Sequence, residues 1–490
     1  MDMQERLQQI QQGIAAGPYD DSWASLCGHP APAWFRDAKF GIFIHWGIYS
    51  VPAFGSEWYS RNMYLQGSPE FKHHVETWGP QKDFGYKDFL PLFRAERFDP
   101  EAWASLFAEA GAKYVIPVAE HHDGFQMYRS DISHWNAAEK GPGRDVLGEI
   151  ASACRAKGLS VGASTHRAEH WFFMSHGLEF DSDIRQPMQR GDFYWPAHPE
   201  RHHFDFDSEP APDQEYLDDW LIRCCEIVDR YHPRAVYFDW WIAHHAFESH
   251  LRRFTAYYYN QAAAWGEEAA IFYKQDSFPY GAAIRDVERG RFADWKPFPW
   301  QTDTAMALNS WGYTEGNRYR EPASLARDLV DIVSKNGCLL LNVGPKPDGT
   351  ITDEETHILR TLGAWLRLNG DAIYATRPWH RFGEGPTEVK EGQFTEGDQA
   401  PETSADFRFV TRGNRLFVWA LKCAEDGQYL VTSLRAFNPE KWEPAPYSGV
   451  IRDVKLLSTG ERLPFERALD GLRIRCGLKT DMPVCFEVVQ

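Results

Sequence analysis

Asp99-Pro100-Glu101-Ala102-Trp103-Ala104-Ser105-Leu106-Phe107-Ala108-Glu109-Ala110-Gly111-Ala112-Lys113-Tyr114-Val115-Ile116-Pro117-Val118-Ala119 is the stretch that decides the fold class. Asp99 is placed to cap a helix and Pro100 to occupy its first position. Trp103, Leu106, Phe107 and Ala110 share one face, and Gly111 supplies the stop. The apolar run Lys113–Ala119 follows at once and predicts a buried strand. A helix that runs directly into a buried strand is the grammar of an α/β protein with a parallel sheet.

The same grammar extends in both directions. Val146, Leu147, Ile150 and Cys154 form a helical face ended by Gly158. Leu217, Trp220, Leu221, Cys224 and Val228 form another, ended by His232-Pro233. Two more helices are expected around Leu325–Val333 and Glu354–Leu368. Strands are predicted at Phe40–His45, Lys113–Ala119, Leu159–Ser164, Ala235–Asp239, Ala270–Tyr273 and Cys338–Val343. A seventh and an eighth are placed between Tyr280 and Ser310, where Pro and Gly blur the period. Polar residues gather after the strands of many units and no G-x-G-x-x-G follows the first, which favours a (β/α)8-like TIM barrel over an open doubly wound sheet.

After Tyr374 the pattern changes to period-two alternation, as in Phe407/Phe409, Leu416/Val418, Tyr429/Val431 and Val484/Phe486/Val488. The chain therefore divides into an N-terminal helical lead-in over 1–30, a catalytic barrel over 31–374, and a C-terminal antiparallel β-sandwich domain over 375–490. The interval Glu391–Ser404 is expected to be an exposed loop, and the C-terminal domain to cover the barrel without touching substrate.

The 490 residues carry 52 Lys+Arg against 70 Asp+Glu, a net charge of -18 with no basic block, which argues against nucleic acid or an anionic membrane as partner. No run of about 18 apolar residues occurs, and the opening residues have no apolar leader core. Eight cysteines without a C-x-x-C pair fit reduced thiols and a cytoplasmic setting. The composition is compatible with a homo-oligomer. Aromatic residues make up 15% of the chain, and their flat faces suit sugar rings as well as the core.

In a barrel, chemistry sits where strands give way to loops. The first strand ends in His45-Trp46, with Glu57-Trp58 a short loop away. The second ends in Glu120-His121-His122-Asp123, whose adjacent imidazoles point in different directions. Together with His45 they could hold a metal, though hydrogen bonds to hydroxyls suit their directions better. The third ends in His166-Arg167-Ala168-Glu169. The fourth, Val236-Tyr237-Phe238-Asp239-Trp240-Trp241, places a carboxylate among aromatic rings, where desolvation demands hydrogen bonds or a chemical use. Glu288 lies in Arg285–Gly290, read as a loop, with Asp276, Asp286, Asp294 and Asp303 as rival carboxylates.

Two carboxyl groups are what glycosidic cleavage requires: one to protonate the leaving oxygen and one to meet charge at the anomeric carbon. Asp239, fixed at a strand end, suits the nucleophile, and Glu288 the acid/base. No G-x-S-x-G, P-loop or H-E-x-x-H is present, so serine-hydrolase, nucleotide-dependent and zinc-protease chemistry recede and no cofactor is called for. A sugar-binding protein without catalysis needs the aromatics but not the carboxylate pair.

Lys39-Phe40-Gly41-Ile42-Phe43-Ile44-His45-Trp46-Gly47, Glu57-Trp58-Tyr59, His121-His122-Asp123-Gly124-Phe125, Phe238-Asp239, Ser310-Trp311-Gly312-Tyr313 and Asn342-Val343-Gly344-Pro345 occur in that order. This series resembles glycoside hydrolase family 29, the retaining α-L-fucosidases. The resemblance implies a barrel followed by a β-sandwich, a pocket for terminal α-L-fucose on an oligosaccharide or small fucoside, and no metal. It implies Asp239 as nucleophile, with Glu288 at a common acid/base position. It also implies that His45, Glu57, Trp58, His121 and His122 contact the sugar, with Trp311 on the wall facing the fucose methyl. Trp46, His166, Glu169, Tyr237 and Lys274 complete the candidate binding set. Three departures stand out. Ser164-Thr165-His166 replaces Tyr-Tyr-Ser, and Trp300-Gln301 replaces Trp-Glu. Lys274 stands near an expected arginine, without the bidentate fork. The alternative within enzymes is an α-L-galactosidase or related glycosidase, whose substrate adds a hydroxyl at C6.

Overall fold

The computed structural model describes residues 2–200, 205–440, 442 and 444–490. Eight parallel strands close a barrel in chain order. They are β1 (Phe40–Ile44), β2 (Tyr114–Glu120), β3 (Ser160–Thr165), β4 (Ala235–Phe238), β5 (Ala270–Tyr273), β6 (Ile284–Glu288), β7 (Trp300–Ala305) and β8 (Gly337–Val343). Closure comes from β8 lying beside β1, with Ile42 opposite Leu341. Every residue of β1, β2 and β8 is buried, as expected of strands covered on both faces.

The deciding stretch folds as its chemistry dictates. Asp99 accepts a hydrogen bond from the Ala102 N–H at 3.0 Å, and the helix Pro100–Glu109 buries Trp103, Leu106 and Phe107. Gly111 then takes φ +90°, a conformation that favours glycine, and turns the chain into β2. Helices Val146–Ala156, Gln214–Tyr231, Glu248–Trp265, Pro322–Ser334 and Asp353–Asn369 recur around the barrel.

Both strands expected between Tyr280 and Ser310 are found there, as β6 and β7. Glu288 is a correction to the loop expectation: it is the last residue of β6, pairing across to Asp303 on β7. Among the described residues no α-helix forms between β5 and β6 or between β6 and β7, where Pro279, Gly281, Pro297 and Pro299 interrupt the chain. The barrel is irregular on that side.

Two antiparallel sheets follow. One is ordered β13 (Asp453–Leu456), β16 (Val484–Val489), β11 (Arg415–Ala420), β10 (Phe407–Arg412), β9 (Arg377–Glu384). The other is ordered β12 (Gln428–Val431), β15 (Leu472–Arg475), β14 (Phe465–Arg467). Phe409, Val418, Tyr429, Val431, Ile474 and Phe486 fill a core of their own. The sheets are tied to the barrel by buried charge: Arg408 Nε lies 2.6 Å from Asp331, which also meets Lys335 at 2.7 Å. At the other end of the chain, the helix Met3–Ala16 buries Ile10 and Ile14, and Asn260 donates to the Ile14 carbonyl at 3.0 Å.

The segment Glu391–Ser404 is the expected loop, with every residue exposed or half-buried. Its first part is fastened across the barrel mouth. The Gly392 N–H donates to the Arg291 carbonyl (3.1 Å), that of Phe394 to Glu288 (2.8 Å) and that of Glu396 to Arg289 (2.9 Å). The chain leaving β6 has no helix over it, so its carbonyls are satisfied by this loop.

Candidate active site

At the C-terminal end of the barrel strands lies a cavity of about 240 Å³. Of the residues singled out from the sequence, His45, Glu57, Trp58, His121, His122, His166, Glu169, Tyr237, Asp239, Glu288 and Trp311 all line it. The order of strands around the barrel brings them together, since each comes from the end of a strand or the loop after it.

Asp239 follows the last residue of β4. One of its oxygens, Oδ2, lies 3.0 Å from His166 Nδ1 and 3.4 Å from His122 Nε2. His166 Nε2 in turn lies 2.5 Å from the Ser164 hydroxyl. A neutral imidazole satisfies both contacts: Nδ1–H donates to the carboxylate and Nε2 accepts from Ser164. Burial, outweighing the pull of Asp239, keeps His166 below its usual pKa and therefore neutral. Burial also opposes charge on His122, but Glu169 and Asp239 carry it up to about 9, so it is an imidazolium at neutral pH. Its Nδ1–H donates to the His166 carbonyl at 3.0 Å. Burial alone would raise Asp239, but the two imidazoles outweigh it and hold the carboxyl well below its usual range.

Glu288 has the opposite surroundings. The Trp240 indole N–H donates to its Oε2 at 2.6 Å, and Lys274 Nζ lies 3.3 Å from the same oxygen. Lys274 also bonds Asp286 and Asp303, each at 2.7 Å. Asp303 accepts from Tyr237 (2.8 Å), and Asp286 from Gln301 (2.8 Å). Three carboxyls share one ammonium, so the cluster retains a proton. Burial, then the neighbouring Asp303, pushes Asp286 well above its usual range. Burial is also the largest influence on Glu288. Lys274 opposes it, Asp303 and Asp239 add to it, and the carboxyl reaches about 7.

Across the cavity, His45 Nδ1 lies 2.7 Å from Asn342 Oδ1, while the Asn342 amide donates to the Trp311 carbonyl at 2.6 Å. Asn342 Oδ1 is therefore the acceptor, and His45 keeps Nε2 as an acceptor for a ligand hydroxyl. Burial lowers both His45 and His121 well below their usual pKa, so both rings are neutral. His121 Nδ1 is buried with no protein partner, a polar atom placed for a ligand. Glu57 Oε2 accepts from the Trp311 N–H at 2.9 Å and from the Ser310 hydroxyl at 3.1 Å, which sets the Trp311 wall. Gly124, in the His-His-Asp-Gly motif, adopts φ +78°, and a Cβ there would fall 2.6 Å from His170 Cε1.

His45, His121 and His166, or His122, His166 and Asp239, bring ligand atoms within 4.8 Å of one another. Both sets need His166, whose two nitrogens already serve Ser164 and Asp239. The donor set fits a hydrogen-bonded carboxylate better than a metal.

Two candidates stand elsewhere. Trp46 is a correction: its ring packs on Trp103 (5.1 Å) and Phe98 (5.0 Å) and its N–H donates to the Lys346 carbonyl at 2.9 Å, so it belongs to the core. Its side chain takes the opposite direction to that of His45, as successive residues at a strand end do. Lys274 is buried beneath Glu288 and does not line the cavity. Of the rival carboxylates, Asp276 and Asp294 are exposed and outside the cavity, Asp286 is buried below it, and Asp303 is on its wall. The binding set read from the sequence omitted Trp240 and Phe394, both of which line the cavity. Adjacency to Asp239 was the available signal for Trp240. Phe394 had none, since it arrives from the C-terminal domain.

The family model described as alpha-L-fucosidase matches residues 6–371. The tissue alpha-L-fucosidase of Rattus norvegicus is 31% identical over 382 residues, covering 75% of each chain. That of Homo sapiens is 31% identical over 376 residues, 74% of this chain and 73% of its own. Among solved structures, the Thermotoga maritima alpha-fucosidase is 32% identical with a TM-score of 0.74, covering 96% of this chain and 100% of its own. A crystal structure of the Thermotoga enzyme in complex with fucose matches equally, with a TM-score of 0.74. With the barrel, the paired carboxyls and these matches in agreement, the chain belongs to the alpha-L-fucosidase family of glycoside hydrolases.

Proposed function

We propose that this protein removes terminal α-L-fucosyl groups from oligosaccharides or small fucosides by double displacement, with retention of configuration. The observation that carries this reading is the pair of carboxyls lining one cavity, Asp239 held below its usual pKa and Glu288 raised to about 7. An ionised group and a protonated one are what nucleophilic attack and leaving-group protonation need.

His166 and His122 both bind Oδ2, so Oδ1 of Asp239 is the oxygen that attacks the anomeric carbon. Glu288 gives its proton to the departing oxygen, and its carboxylate is received by the Trp240 N–H and Lys274. Once Asp239 is esterified its negative charge is gone, and with it one of the influences that raise Glu288. Glu288 is then more acidic and acts as base toward the incoming water. Neutral His45 and His121 accept or donate to ring hydroxyls, while Trp311 presents an apolar face to the C6 methyl.

The test is hydrolysis of an activated α-L-fucoside followed by NMR, beside the matching α-L-galactoside. α-L-Fucose is expected as the first-formed anomer, with the fucoside preferred by about 10- to 200-fold over the analogue bearing one more small group. Initial release of β-L-fucose would overturn the mechanism, and preference for the galactoside would overturn the substrate.

A further inference from the structure

The cavity has one wall that the barrel does not make. Phe394, on the loop from the C-terminal domain, stands beside Trp240 with the two rings nearly parallel, 12° apart in plane and 5.9 Å between centroids. Phe394 is 51% exposed, although burying a phenyl ring is favourable and the loop around it is far from loose. Glu396 bonds Arg289 at 2.8 Å and Thr304 Oγ at 2.5 Å, and lies 3.3 Å from Arg320. Gln393 accepts from the Glu288 N–H. Arg289 also lies over the Trp311 ring, 4.6 Å from its centroid. An apolar ring is thus held in place, largely exposed, at the entrance beside the acid/base.

Position gives the purpose. Trp240 donates to the Glu288 oxygen, so it marks the side on which a proton is delivered to the leaving group. Whatever is attached to that leaving oxygen lies over Trp240 and its neighbour Phe394. A flat apolar shelf at that point suits the C–H face of a sugar ring.

Building on the fucosidase reading above, we propose that Trp240 and Phe394 form a subsite for a pyranose ring on the leaving-group side of the scissile bond, and that the C-terminal domain is thereby part of the substrate site. The loop fixes the shelf to the acid/base through Gln393 and to the methyl wall through Glu396 and Arg289. Substrate selection beyond the fucose then depends on both domains.

The experiment uses the full chain and two substrates, α-L-fucosyl fluoride, whose leaving group has no ring, and the α-L-fucosyl-hexopyranose disaccharide turned over fastest in a linkage panel. Phe394→Ala is expected to lower kcat/KM for the disaccharide about tenfold more than for the fluoride, mainly through KM. Phe394→Trp is expected to restore the ratio. Equal losses on both substrates, no loss on either, or a wild-type protein that cleaves the fluoride but no disaccharide would overturn the subsite. A wild-type protein inert toward the fluoride would instead overturn the fucosidase reading itself, so the two failures are distinct.

Discussion

At the end of β4, Asp239 meets two imidazoles on one oxygen; at the end of β6, Glu288 meets an indole N–H and an ammonium already shared with two aspartates. Both carboxyls are buried, so desolvation pushes both upward. The difference lies in what the neighbours can offer. Beside Asp239, His122 is an imidazolium and His166 donates a single well-placed N–H. Beside Glu288, the one cation divides its charge among three carboxyls. Burial therefore decides neither state by itself, and the ratio of cations to carboxylates around each group sets the division of labour.

The largest test of that contrast is to remove each carboxylate and let azide take its place. Asp239→Ala is expected to lower kcat/KM on the order of 10⁴-fold or more, because attack itself is lost. Azide added with an activated fucoside then attacks from the vacated face, giving a β-L-fucosyl azide. Glu288→Ala is expected to cost about 10²- to 10⁴-fold with poor leaving groups and far less with fluoride. Here azide intercepts the fucosyl-enzyme and gives the α-azide. The same azide anomer from both variants would remove the distinction between the two groups. In the wild type kcat/KM should fall as pH rises through about 7, where Glu288 loses its proton, and Glu288→Ala should abolish that limb.

Much of this arrangement was legible in the chain itself. A helix cap, an apolar stripe and a stop preceding a buried run gave the barrel, and Asp239 was conspicuous because an apolar strand ended on a carboxylate. Trp46 was misplaced although the alternation of side chains at a strand end held the answer: with His45 facing the cavity, its neighbour faces the helix Pro100–Glu109. β6 was blurred because it lacks flanking helices, so Glu288 looked like a loop residue. Lys274 stands out by position, but its place beneath Glu288 depends on Asp286 and Asp303 coming from two other strands. Phe394 and Gln393 were out of reach, since local pattern carries no sign of which loop of a second domain crosses the barrel mouth.

A gentler change sharpens the contrast from the β6 side. Asp303→Asn keeps an acceptor for Lys274 and removes one of the charges that raise Glu288. The Glu288 carboxyl should then titrate lower, and the alkaline limb of kcat/KM should move to lower pH. An unmoved limb would mean that burial and Asp239 alone set the acid. The measurement is the pH profile with a substrate whose cleavage depends on the acid.

The smallest expected effect comes from the β4 side. Ser164→Ala removes the hydroxyl that bonds His166 Nε2 at 2.5 Å and leaves the carboxylate contact in place. A single hydrogen bond of this kind is worth about 0.5–1.5 kcal/mol, so a loss of about two- to tenfold in kcat is expected. The sign of the accompanying pH shift separates positioning from simple loosening. Without Ser164 to hold Nε2 as the acceptor, His166 presents its Nδ1–H to Asp239 less of the time. The carboxyl then rises toward its ordinary range, and activity that needs it ionised is lost at a higher pH as acid is added. The acid limb of kcat/KM should therefore move up, while the alkaline limb set by Glu288 stays. A drop in kcat with both limbs fixed would show that Ser164 only packs against the imidazole and that His166 holds its tautomer without help.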